Sequence, residues 1–102
     1  MTQMTKSLER RLFEGDQAKL ILENEAFTAA FEAIESEVIE QWKNSPARDE
    51  AGREKLWTYL QMVQKFKAQL TQTLETGTLA RLELEHKQSM AERARGWLSR
   101  AA

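Results

Sequence analysis

A chain of 102 residues suffices for one domain and not for two ordinary ones, and the lack of cysteine excludes disulfides, thiolate metal sites and a thiol nucleophile. A net charge of -1 and a pI near 5.9 stand well below those of a typical DNA-binding domain. With four glycines, one proline and only five valines and isoleucines, the composition favours residues that lose little entropy in a helix. The expectation is a single all-α domain over residues 1–102.

In KSLERRLFEGDQAKLILEN, Leu8, Leu12, Ala18, Ile21 and Leu22 supply the apolar positions of a flanking helix near 5–23. The Gly15-Asp16 pair is expected to break it, Gly15 closing one short helix and Asp16 capping the next. Asn24 then caps a helix over 25–44, with Glu25 in its electropositive first turn. Phe27, Phe31, Ile34, Val38 and Trp42 follow steps of four, three, four and four, which is one apolar stripe. Glu32, Glu35, Glu37 and Glu40 lie off that stripe and form a candidate acidic face. Residues 14–40 carry a net -7. A block of this kind is first a solvated helix surface, and its sharper reading is docking on a basic helix within the chain or between copies.

The segment WKNSPARDEAGREKLW reads as an elbow. Pro46 disfavours helix at Ser45 and suits the first turn of a new helix; Asp49 is its expected cap, and Gly52 is the weak point of its first turn. Arg48, Asp49, Arg53 and Glu54 also make the tip a candidate partner contact. Beyond it, Leu56, Leu60, Val63, Phe66 or Lys67, Leu70 and Leu74 form the stripe of a helix over 49–76, widened by Trp57 and Tyr59. Gly77 is expected to end it as a left-handed C-cap. Thr78 would cap a last helix over 78–99, with Leu79, Leu82, His86, Met90, Ala94 and Trp97 along one side. The short connection makes 25–44 and 49–76 an antiparallel helical hairpin, with the helices 5–23 and 78–99 flanking it.

No catalytic residue, metal site or cofactor site emerges. The single His86 lies in the charged stretch ELEHKQ, and the four glycines are scattered singly, so no phosphate loop exists. Glu83 and His86 form one Glu-x-x-His pair, whereas di-iron bundles need two plus two further glutamates; a homodimer would have to supply the second pair, with Glu35 or Glu32 as the extra ligand. The C-terminal run is basic through Lys87, Arg93, Arg95 and Arg100, cations that the negative helix terminus also favours. Arg93 and Arg100 share a face that DNA phosphates would accept. Glu83, Glu85 and Glu92 oppose membrane binding, and no small-molecule substrate is indicated. Trp97 on its thin stripe, with Met90, Arg93, Arg100 and Leu82, is the candidate partner interface.

The N-E-A-F start, the Glu-rich helix ending in Trp42, the S-P-x-x-D-x-x-G-R-E-K-L elbow and the E-T-G end together span about residues 20–80. This run resembles a class of small helical proteins encoded by tailed bacteriophages and prophages. The resemblance implies a place among structural or assembly genes and carries no catalytic residues. The expected function is a non-enzymatic virion or assembly protein acting through helix contacts with itself, as a homo-oligomer, and with other phage structural proteins. The expected location is the host cytoplasm during infection, with incorporation in the virion as the other outcome. Alternatives are a DNA-binding packaging adaptor resembling a small terminase subunit, and a phage inhibitor of a host protein that uses the acidic helix as a mimic of nucleic-acid charge.

Overall fold

The computed structural model describes residues 6–101, and among them every regular element is an α-helix. There are three: α1 (Leu8–Glu23), α2 (Glu25–Asn44) and α3 (Glu50–Ala101). Each start has a side-chain cap where the unpaired N–H groups of a first turn need one. Ser7 Oγ accepts from Arg10 N at 3.1 Å, Asn24 Oδ1 from Phe27 N at 2.9 Å, and Asp49 Oδ1 from Gly52 N at 3.1 Å. Asn24 serves two helices, because its own N–H donates to Ile21 O at 3.2 Å and closes α1. Thr28 Oγ1 donates to Leu22 O at 3.2 Å, tying the first turn of α2 to the last turn of α1.

Three expectations are corrected. Gly15-Asp16 does not break the first helix, which runs unbroken from Leu8 to Glu23 (residue 5 lies outside the described residues). Gly77 does not end a helix, and Thr78 does not cap one. The expected helices 49–76 and 78–99 are instead one 52-residue helix, α3 from Glu50 to Ala101, in which Thr78 Oγ1 donates back to Leu74 O at 3.1 Å. No glycine among the described residues has positive φ. The reason is packing: a helical glycine costs about 1 kcal/mol against alanine, which tertiary contact readily offsets.

That contact is the crossing of α1 on α3. A Cβ built on Gly15 would lie 2.7 Å from Gly77 Cα and 3.4 Å from Thr73 O, so the two backbones touch where neither residue carries a side chain. Ala18 and Ala80, one turn on in each helix, are buried at 3% and 0% exposure. Arg11 reaches Glu83 at 4.0 Å, Arg81 reaches Asp16 at 3.1 Å, and Leu22 comes near Lys67, so α1 runs opposite to α3. α2 follows α1 in the same sense. Phe27 lies 6.4 Å from Phe66 between ring centroids, and Trp42 O accepts from Arg53.

α1 and α2 therefore share one stripe of α3. Leu56, Leu60, Val63, Leu70 and Leu74 are half-buried, and the same face continues through buried Gly77 and Ala80 to half-buried Leu84. Beyond Leu84 no helix of the described residues lies alongside, and every residue from Glu85 to Arg100 is exposed. The molecule measures 81 × 30 × 16 Å with a radius of gyration of 22.1 Å. A compact chain of this length would have a radius of roughly 13 Å. No helix among the described residues is long and apolar enough to cross a membrane.

Candidate protein interaction surface

The elbow is ordered by one arginine. Arg53 Nη1 donates to Ser45 Oγ at 2.9 Å, Ser45 O at 3.2 Å and Trp42 O at 3.3 Å, and its guanidinium lies 4.3 Å from the centre of the Trp42 ring. A planar fork can satisfy the C-terminal carbonyls of α2 and stack on an aromatic face together, as lysine cannot. Ser45 is extended at φ -73°, ψ 143°, as its place before proline requires. Pro46 is not in the first turn of α3. It opens a turn closed by Asp49 N donating to Pro46 O at 3.0 Å, and Asp49 then caps α3. Arg53 and Asp49 are thus committed within the elbow, while Arg48 and Glu54 stay exposed.

The seam between α2 and α3 is open. Phe31 is its one buried large side chain, at 8% exposure. Phe27, Ala30, Phe31, Ile34, Met62, Val63 and Phe66 line an apolar cleft, and a second one, bounded by Val38, Ile39, Trp42, Leu56, Trp57 and Leu60, lies nearer the elbow. Ile34 and Phe66, expected to be covered by the pairing of these helices, remain more than half exposed. Two helices can cover only the facing arc of each other, and these stripes are wider than that arc. Tyr59, Met62 and Phe66 stand at i, i+3 and i+7, a second apolar row beside the first. That spacing was readable in the sequence and marks an exposed face that the hairpin reading missed.

The far half of α3 holds the remaining candidates. Leu82, Met90, Arg93 and Trp97 fall on one side of a continuous helix and are all exposed, as is Leu79. Arg100, five turns after Leu82, shares that side, with its Nε donating to Gly96 O at 3.3 Å. The acidic residues of α2 do not share a face. Glu35 is half-buried and turned to a shallow groove with Gln64, Lys67, Ala68, Thr71 and Glu75, while Glu32, Glu37 and Glu40 are exposed. Glu35 and Glu37 are two residues apart, which places them about 200° apart around a helix.

Chemically reactive groupings are sparse. Among the described residues no three or more His, Cys, Asp or Glu side chains are placed to hold a metal ion. Glu83 is engaged by Lys87 at 3.8 Å and Arg11 at 4.0 Å. One small polar recess at the α1–α3 edge is lined by Lys6, Arg11, Glu14, Gln72, Thr73 and Thr76. The hydrogen bond from Lys6 Nζ, at 2.8 Å, holds the Glu14 carboxyl below its ordinary pKa, with Arg10 Nε at 3.0 Å acting in the same direction.

What the arrangement offers is helix surface. An accessible area of 8361 Å² compares with roughly 5,900 Å² for a compact chain of this mass. Large apolar side chains make up much of what is exposed, including Trp57, Tyr59, Met62, Phe66, Met90 and Trp97. No family model, curated protein or solved structure matches the chain.

Proposed function

We propose that the protein is a non-enzymatic assembly component of a tailed phage or prophage that works by helix-mediated contacts with itself and with other virion proteins. The observation that carries this reading is the imbalance between core and surface. Only Ala18, Phe31 and Ala80 are buried apolar residues among those described, against fourteen exposed large apolar side chains. A lone chain in water gains little from such an arrangement, whereas exposed apolar patches of this extent mark protein–protein contact sites. The resemblance of residues 20–80 to small phage proteins supplies the setting: the host cytoplasm during infection, with incorporation in the particle. In this reading α2 and the first half of α3 act as a hairpin that presents its open seam to partners. Sedimentation of the purified full chain from micromolar to submillimolar concentration tests it. A defined oligomer is expected, and a monomer throughout that range would overturn the reading.

A further inference from the structure

The outer face of α3 has a symmetry of its own. Trp57 and Trp97 lie twenty residues on either side of Gly77. At 100° per residue, Trp57, Ala68, Leu79, Leu82, Met90 and Trp97 fall within about 80° of one another on α3. This row lies outside the Val63–Gly77–Leu84 stripe that α1 and α2 cover, its near end bordering the α2–α3 grooves that Trp57 and Ala68 line, and its large members are exposed. It runs for ~60 Å, and its apolar residues sit at its centre and at both ends.

We propose that α3 pairs antiparallel with α3 of a second copy, about a two-fold axis beside Gly77. This rests on the assembly reading above and names its first partner. Leu79 of each copy meets the other near the axis, Leu82 lies ~7.5 Å from the axis over the partner's Ala68 and Gln72, and Trp97 of each copy packs by the partner's Trp57. The helical segment beyond Leu84, exposed from Glu85 to Arg100 in one chain, then lies along the α2–α3 groove of the other.

Four features favour a second copy as occupant. Charge is complementary: residues 87–100 carry Lys87, Arg93, Arg95 and Arg100 against Glu92 alone, while residues 25–42 carry five glutamates and no cation. Antiparallel pairing about Gly77 sets residues 87–100 against residues 54–67 of the second α3, flanked by its acidic α2, with Glu35 beside Lys67 on the groove wall. Lengths agree, since residues 85–101 span ~25 Å and α2 spans ~30 Å. Area suffices as well: the surplus of about 2,400 Å² per chain over a compact form exceeds the ~800 Å² per partner of a standard interface. A two-fold contact also uses the same patch on both copies, which a row centred on its own helix provides.

The absence of cysteine makes the register testable in the full chain. Gln61→Cys and Arg93→Cys lie on the paired face and oppose each other in this register. Mixed in equal amounts and oxidised, the two variants are expected to give a disulfide-linked dimer containing one chain of each. Each variant alone gives almost none, since like positions stand ~48 Å apart. Leu79→Glu with Leu82→Glu, both on exposed positions, should weaken the dimer at least about 100-fold with helix content unchanged in circular dichroism. Trp97→Ala should weaken it by about 30-fold. Self-linking of Gln61→Cys, or an oligomer indifferent to the leucine pair, would overturn the antiparallel contact and leave the assembly reading standing. A monomer at all concentrations would overturn both.

Discussion

Gly15 of α1 and Gly77 of α3 face each other backbone to backbone, and a Cβ on either would lie 2.7 Å from the other's Cα. Neither backbone can yield without moving a whole helix. Gly77→Ala should therefore push α1 from α3, with overpacking costing about 1–3 kcal/mol against a helix-propensity gain of about 0.5–1 kcal/mol. Gly96 meets nothing within 4 Å, so Gly96→Ala keeps the gain alone. Urea denaturation of the two variants should move the midpoint in opposite directions. Equal stabilisation by both would show that the crossing is not a close contact.

Phe31 and Phe66 make a second contrast. Phe31 is the one large side chain buried in the α2–α3 seam, with Phe27 at 6.1 Å and Lys67 Nζ 5.3 Å from its ring centre. Phe31→Ala should cost about 3 kcal/mol, near the low end for phenylalanine because the open cleft can relax. Phe66→Ala, at an exposed position, should cost under about 1 kcal/mol at dilutions where the chain is monomeric. Chemical denaturation at low and high protein concentration separates folding from association for both variants.

At the elbow, Arg53→Lys keeps the charge but loses the fork and the stacked plane, and the Ser45 and Trp42 carbonyls lose donors. The expected cost is about 1 kcal/mol, and Asp49→Ala should cost a similar amount through its lost cap. Amide hydrogen exchange at Asp49 and Gly52 should accelerate in both variants, with the rest of α3 unchanged. Exchange that rises uniformly along α3 would mean that the elbow is not a local unit.

Glu14 sets an acid dependence. Its carboxyl is held below the ordinary value chiefly by the Lys6 hydrogen bond. A depressed folded pKa contributes stability that is present above the unfolded value of about 4.3 and lost as pH falls through the folded one. Wild type should therefore exceed Glu14→Gln in stability at neutral pH, with the difference closing as the solution is acidified below that range. Thermal melts from pH 7 down to pH 3 read this directly, and a constant difference would remove the ion pair as its cause.

Local chemistry determined much of this protein from sequence alone. Asn24 and Asp49 cap where a side-chain acceptor precedes an apolar stripe, and Ser45 is extended because a proline follows it. The stripe from Leu56 to Leu74 is the face that α3 buries, because helical period and burial are linked residue by residue. What tertiary structure decided was the meaning of the glycines. Gly15 and Gly77 each carry a local signal for a helix end, worth about 1 kcal/mol, and the crossing of α1 on α3 overrides both. That reversal joins two expected helices into one of 52 residues and leaves every residue from Glu85 to Arg100 exposed. The candidate surface was legible only in part. Leu82, Met90, Arg93 and Trp97 share a face by spacing, but the exposure of Ile34 and Phe66 depends on how much of each helix the other can cover. Periodicity gives the direction of a side chain, and only the packed neighbours decide whether water still reaches it.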